Sequence, residues 1–386
     1  MIQTAEITNY QHQTTSFKYL ITIKPLGLLY GSSGRFLSPD NLVGRSGNSF
    51  PPSAATLSGI FAANCDREQL SSLQLAGAFW AKDEDLQDFY VPTPINCLVK
   101  DSKITNLLTW DSDKEEWQSA LPGKKQFSES DADYARDKYK LQNDKYQKGS
   151  WIKLSDWHKL KPPEPECYLE DYEGFPEVVT EAPWTFLPHL HPRLSPEERC
   201  VDTDNQKGSL FLENSVQINP DVSLVYLSNL EIENGWYRFG GEGHLVEINT
   251  LPLSSTTTSL LSQDVGHSFA IITPAIWGSN KKSYREPIQR NSDRSVWYAD
   301  YKPDRIKPIL TQRPTPMRYR LGDHPDGQQP GQSKRLSRGR YTVPPGTVYI
   351  VDEALPCWQN WSDDWFPHEG YCFKRWGCGL ALPLSV

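Results

Sequence analysis

FKYLITIKPL, residues 17–26, and FPPSAATLSGIF, residues 50–61, are the two segments on which the fold turns. In the first, Phe17, Tyr19, Ile21 and Ile23 recur at every second position, the period of a strand with one buried face. Gly27 to Ser49, rich in Gly and Ser, reads as a long loop. In the second segment Ser53 is a good N-cap, and Leu57, Ile60 and Phe61 fall on one helical face. Gly59, beside Ala54, Ala55, Ala62 and Ala63, implies that this helix packs closely on a sheet. A second helix is expected over Arg67 to Ala76. The chain therefore opens as strand, long loop, short helix.

Further strands are expected at Ser209 to Leu212, Ser223 to Leu227, Trp236 to Phe239, Leu245 to Ile248 and Ser268 to Ile272. Near the end, Tyr341 to Val343, a Pro344-Pro345-Gly346 turn and Thr347 to Val351 read as strand, turn, strand. Asp111 to Pro165 is highly charged and reads as an exposed, partly helical insertion that ends in the stiff Lys161-Pro162-Pro163-Glu164-Pro165. Two strand-rich halves with one early α/β unit give an α+β fold of two related lobes, divided as residues 1–230 and 231–386. The first lobe carries the insertion near 105–205, and the second carries the Gly-rich loops.

Composition narrows the function. The chain has 386 residues, of which 37% are hydrophobic and 23% charged, so it is globular and long enough for two domains or one elaborated domain. Its 30 Pro, 13 Trp and 18 Tyr suit many strands, long loops and few long helices. No run of 18 apolar residues is present, so no membrane span is expected. Met1 to Phe17 is polar and lacks the apolar core of a secretory signal. The seven cysteines form no CxxC pair, which indicates neither a zinc site nor a disulfide framework, and a cytoplasmic location with reduced thiols is expected.

The net charge of −8 argues against generic nucleic-acid binding, but it is unevenly spread. Lys281 to Arg340 holds 15 basic and 6 acidic residues, while the remaining 326 residues hold 25 and 42. The basic stretch includes Tyr284, Trp297, Tyr298, Tyr301 and Tyr319, with Tyr341 just beyond it. Cations beside rings suit RNA, whose phosphates and bases they meet; an ordinary solvated loop has the same composition.

Gly240-Gly241-Glu242-Gly243 lies between two apolar runs. Such a loop exposes backbone N–H groups to phosphate or simply closes a tight hairpin; it is neither a GxGxxG fingerprint nor a P-loop. His244 follows it and suits a phosphate contact, a general base or a structural role. His189-x-His191 on a strand would face one side as metal ligands do, but no third ligand lies nearby, so no metal is expected. Asp202 and Asp204 read as solvated loop residues. Cys378 has no local signature of a nucleophile, and no GxSxG or HExxH occurs. No cofactor and no catalytic residue are therefore assigned.

The motifs fall in a familiar order. Pro25-Leu26-Gly27-Leu28-Leu29-Tyr30, Gly34-Arg35-Phe36 and Phe50-Pro51-Pro52-Ser53 with its Gly59 helix resemble the start of the Cmr subunit three family of CRISPR type III-B complexes, within the RAMP superfamily. Phe89-Tyr90-Val91-Pro92-Thr93-Pro94 resembles that family's Pro-x-Pro element, and Gly240-Gly241-Glu242-Gly243 is similar to its G-G-E-G loop. Ile272-Thr273-Pro274-Ala275, the segment Val343 to Tyr349, and Gly377-x-Gly379 resemble its later elements. Ser33-Gly34-Arg35 stands where the family has an Arg-Asp pair. A sister subunit of type III-D complexes shares the superfamily features.

The resemblance implies two ferredoxin-like, RRM-related lobes and a non-catalytic subunit that holds the 5′ tag of the CRISPR RNA. It implies contact with the large Cas ten-type subunit and with backbone RAMP subunits. The residues it brings to RNA are Arg35, Arg45, Ser53, Thr56, Arg238, Gly240, Gly241, Gly243, His244, Gly377 and Gly379. One alternative is a RAMP endoribonuclease that processes precursor CRISPR RNA; Ile21 to Ala63 contains no His, Tyr30 is its only acid–base candidate, and His244 is the best remaining one. Another is a scaffold that bridges proteins alone.

Overall fold

The computed structural model describes residues 15–30, 50–120, 146–162, 174–192, 200–201, 210–241, 243–287, 309–319, 321 and 336–386. In chain order the first half runs β1 (Tyr19–Pro25), β2 (Leu29–Tyr30), α1 (Ala54–Asn64), α2 (Arg67–Ser72), β3 (Leu75–Lys82) and β4 (Tyr90–Pro92). Next come β5 (Cys97–Lys100), β6 (Lys103–Asp111), β7 (Glu116–Ala120) and β8 (Trp151–Lys153). They lead into β9 (Trp184–Pro192), β10 (Leu210–Ile218), β11 (Val222–Ser228), β12 (Gly235–Phe239) and β13 (His244–Pro252). A short helix α3 (Ser255–Leu261) precedes β14 (Gly266–Ile271), β15 (Trp277–Gly278) and β16 (Ser283–Tyr284). The chain closes with β17 (Ile309–Leu310), β18 (Thr315–Met317), β19 (Arg340–Thr342), β20 (Val348–Leu355), β21 (His368–Glu369), β22 (Tyr371–Cys372) and β23 (Ala381–Pro383).

The larger sheet has seven strands in the order β12-β13-β1-β11-β3-β4-β8, with every neighbouring pair antiparallel. A second antiparallel sheet is ordered β17-β20-β14-β23. The fold is thus mixed α/β, mostly strand with few helices. The expected boundary at 230/231 falls inside the larger sheet, because β12 and β13 extend it from β1.

Alternation explains the layers. Ile21, Ile23, Tyr226, Val246 and Ile248 point to one face of the larger sheet, and Leu57, Ile60 and Phe61 of α1 cover them. Each such side chain contributes roughly 1.5–3 kcal/mol when fully buried. The Tyr226 hydroxyl donates to the Pro52 carbonyl at 2.7 Å, tying the start of α1 to the sheet, and burial pushes its pKa up. Leu20, Phe79, Val225 and Leu227 point the other way and share a core with Phe269, Ile271, Val348 and Tyr349 of the second sheet. The strands read from the sequence all appear, and the α1 face is the one its spacing predicted.

Three expectations are corrected. The second helix ends at Ser72, and Leu75 onward is β3. Its run LAGAFWAK is buried on both faces, so it carries no period-two signature to separate strand from helix. Gly59 is exposed, with nothing within 4 Å of a Cβ placed on it, so it is not a packing glycine. The segment Asp111 to Pro165 is not an exposed insertion throughout. Residues 121–145 and 163–165 lie outside the described residues. Ile152 of β8 and Leu154, Trp157 and Leu160 of the turn after it are core. The Trp157 indole also donates to the Pro383 carbonyl at 2.7 Å, so this segment fastens the C-terminal strand.

Trp157→Ala removes that hydrogen bond and leaves a cavity, and should lower the unfolding free energy by roughly 3–5 kcal/mol in denaturant titration. A loss below about 1 kcal/mol would return the segment to the role of a peripheral insertion.

Candidate nucleic-acid interface

β12 and β13 form an antiparallel hairpin with Tyr237 opposite Val246, Arg238 opposite Leu245 and Phe239 opposite His244. Tyr237, Phe239 and Val246 pack on the α1 side, which directs Trp236, Arg238 and Leu245 to the opposite face. The turn is closed by the Gly243 N–H donating to the Gly240 carbonyl at 3.3 Å. Gly240 and Gly243 have φ of 74° and 67°, a left-handed conformation that costs glycine little. Gly240 and Gly241 are exposed at the tip, and Gly243 and His244 are half-buried.

Two sequence-selected side chains meet this tip. A Cβ placed on Gly240 would lie 3.8 Å from Thr56 Cγ2 of α1, so the helix start flanks the turn on one side. A Cβ on Gly243 would lie 3.8 Å from Arg238 Cδ and 3.9 Å from its Nη1, so the exposed Arg238 side chain lies along the turn on the other. Thr56, Arg238, Gly240, Gly241, Gly243 and His244 are thus gathered around one hairpin end. Ser53 sits at the N-cap of α1, where its carbonyl accepts from the Thr56 N–H at 2.8 Å, but its hydroxyl does not cap the helix. Arg35 and Arg45 lie outside the described residues.

Gly377 and Gly379 lie elsewhere. Both are buried, not at the surface where RNA would meet them. A Cβ on Gly377 would fall 2.4 Å from Ala76 Cβ, and one on Gly379 would fall 2.5 Å from the Trp277 ring. Thr273 bridges the pair: its hydroxyl donates to the Gly377 carbonyl at 2.5 Å and accepts from the Leu380 N–H at 2.8 Å. The Thr-Pro-Ala and Gly-x-Gly motifs are therefore one structural joint. Similarly, the Pro-x-Pro element meets the Pro-Pro-Gly turn, with Ile95 N–H donating to the Gly346 carbonyl at 2.8 Å.

The described end of the basic stretch also serves the fold. Arg340 is buried in an ion pair with Glu369, stacks over Phe373 at 5.3 Å, and donates to the Asn280 carbonyl at 3.2 Å. Arg318 donates to the Ser337 carbonyl at 2.8 Å, and Tyr319 is buried. Trp297, Tyr298 and Tyr301 lie outside the described residues, as do Asp202 and Asp204. Burial pushes the Cys378 thiol up to about 12 and the Cys372 thiol up to about 11, so neither is a thiolate at neutral pH. His189 is on β9, and among the described residues no three His, Cys, Asp or Glu side chains are grouped to hold a metal ion. No helix among the described residues is long and apolar enough to cross a membrane.

The sequence reading passed over Trp236. Its ring is 71% exposed on the same face as Arg238, beside Leu245 at 47% and Leu26 at 48%. Alternation along β12 held the signal, since Phe239 is core and Tyr237 packs against the same core, which places Trp236 and Arg238 opposite them.

Residues 41–385 match the family model described as CRISPR-associated protein (Cas_Cmr3). The chain belongs to that family, which is the one its ordered motifs resemble. No curated protein matches. Among solved structures, the chain is similar to one in the type III-B Cmr-beta complex bound to cognate target RNA and AMPPnP, at 12% identity and TM-score 0.42 over 86% of each chain. It is also similar to a chain of a Csm1–Csm4 cassette in complex with pppApA, at 9% identity and TM-score 0.32 over 87% of each chain. A third similarity is to a chain of a Csm3–Csm4 subcomplex of the type III-A interference complex, at 9% identity and TM-score 0.32, covering 88% of this chain and 94% of that one.

Two alanine substitutions separate the glycines by thermal melting. Gly59→Ala, in an open helical site, should stabilise by about 0.5–1 kcal/mol. Gly379→Ala, with positive φ and a ring in the way, should destabilise by at least about 1–3 kcal/mol. Equal and small effects would show that neither backbone environment has been read correctly.

Proposed function

We propose that this chain is a non-catalytic subunit of a type III CRISPR effector complex that binds the 5′ tag of the CRISPR RNA. In this reading it bridges the large Cas ten-type subunit to the backbone RAMP subunits in the cytoplasm, and its two larger antiparallel sheets, of seven and four strands, are the cores of two ferredoxin-like lobes. The observation that carries RNA binding is the end of the β12–β13 hairpin. An exposed glycine turn, the guanidinium of Arg238 and the start of α1 with Thr56 converge there. Backbone N–H groups and a guanidinium are the donors a phosphate accepts from. Family membership supports the assembly.

Arg238→Glu should weaken binding of tagged RNA by roughly 1–3 kcal/mol, because charge reversal adds repulsion to a lost contact. Filter binding at low salt measures this. Unchanged affinity would remove the hairpin end from the RNA path.

We infer that the chain does not cleave RNA itself. Cleavage through the 2′-OH needs a base to deprotonate it and an acid to protonate the leaving oxygen. His244, beside the glycine turn, fits a phosphate contact, and the buried Cys378 and Cys372 hold their protons. Repeat RNA incubated with the purified protein, with and without Mg²⁺, should yield no site-specific product. Reproducible cleavage at one repeat position that His244→Ala abolishes would make the protein the processing enzyme instead.

A further inference from the structure

The outer face of the hairpin carries a side chain that neither the fold nor the turn uses. Every other described tryptophan packs against a neighbouring ring, stacked, tilted or edge-on, or donates its indole N–H to a carbonyl. Among the described residues Trp236 does neither, and it is 71% exposed. Leaving a large flat ring in water forfeits a burial gain that every other described tryptophan takes at least in part.

Its surroundings define what it would take. Cross-strand pairing sets two rows on this face: Arg238, Leu245 and Leu26, then Trp236, Glu247 and Lys24. Lys24 is ion-paired with Asp83, so Arg238 is the cation of the patch that points to the glycine turn. Along β12, Trp236 and Arg238 are i, i+2 neighbours, about 6.8 Å apart on the strand. A nucleotide whose phosphate meets Arg238 and the turn can therefore lay its base on Trp236. The carboxylate of Glu247, opposite Trp236, repels phosphate and accepts from exocyclic amino groups, so it favours a base edge on that side over the backbone. Leu245 and Leu26 supply an apolar floor beside the ring.

We propose that Trp236 is a stacking platform for one unpaired base of a single-stranded RNA whose phosphate is held at Arg238 and the Gly240–Gly243 turn. This rests on the RNA-binding reading above and adds to it a base subsite on the outer sheet face. A flat exposed indole also suits a protein side chain, but the one-sided placement of Arg238 and the donor-rich turn favours a nucleotide.

The test uses the full-length chain and single-stranded RNA bearing the repeat-derived 5′ end of the guide, with one 2-aminopurine placed at each position in turn. Wild-type protein should quench one position on binding. Trp236→Ala should abolish that quenching and weaken binding roughly 5- to 150-fold without changing the salt dependence. Trp236→Phe should restore most of both. Arg238→Gln should instead flatten the log K against log salt slope by about 0.7, the loss of one single-strand phosphate contact. The melting temperature of Trp236→Ala should match wild type, because the ring is exposed. If wild type binds this RNA and Trp236→Ala matches it in affinity and quenching at every position, the platform is refuted while the RNA reading stands. The same holds if Trp236→Ala loses only assembly with protein subunits. If wild type prefers no tagged RNA, both fall.

Discussion

The pairing of β13 with β1 is the constraint on which the rest of the structure depends. β1 lies between β11 and β13, so it joins the hairpin that bears the candidate site to the rest of the larger sheet. Its register sets Ile23 against Ile248 and Lys24 against Glu247, and the Leu26 N–H continues it to the Leu245 carbonyl at 3.1 Å. Side chains in a strand alternate with period two. A slip of one residue would bring Leu245 and Glu247 under α1 and turn Val246 and Ile248 to solvent. The cost of exposing that apolar face holds Arg238 and Trp236 outward. Site geometry is here a consequence of core packing on the opposite face.

The second constraint is a close approach. The segment from Phe373 to Leu380 fits between the sheets because its turn residues lack a Cβ where Ala76 and Trp277 stand. Arg375 strengthens the joint by donating to the carbonyls of Leu73 at 2.9 Å and of Leu70, at the end of α2. The glycines at the hairpin end and those in this joint share one conformational property and use it differently. At the hairpin the freed backbone faces solvent; in the joint it faces protein.

Much of this was legible in the residues. The alternation over 17–26 and the spacing of Leu57, Ile60 and Phe61 led to β1 and to the buried face of α1. The motif order led to the family. What the residues hid was whatever depends on distant chain. Leu75–Lys82 is buried on both faces, so alternation was absent, its strand was not read, and the helix expected over Arg67 to Ala76 ran past its true end at Ser72 into it. Ile152, Leu154 and Trp157 are core because β4 and the C-terminal strand come to meet them, which no local pattern shows. Gly377 and Gly240 look alike in sequence, and only the chain packed against each one tells a joint from a surface turn. Trp236 was read only as the start of a strand, because an exposed tryptophan in a strand looks like a core residue until its partner rows are known.

The proposed path takes guide RNA over the end of the β12–β13 hairpin. The most direct measurement is ultraviolet crosslinking of the chain in its purified native complex, with the crosslinked peptides mapped by mass spectrometry. The account predicts crosslinks to tag nucleotides within residues 236–245, with Trp236 and His244 the reactive rings. Tag crosslinks that map reproducibly to other segments and leave residues 236–245 unmodified would contradict it.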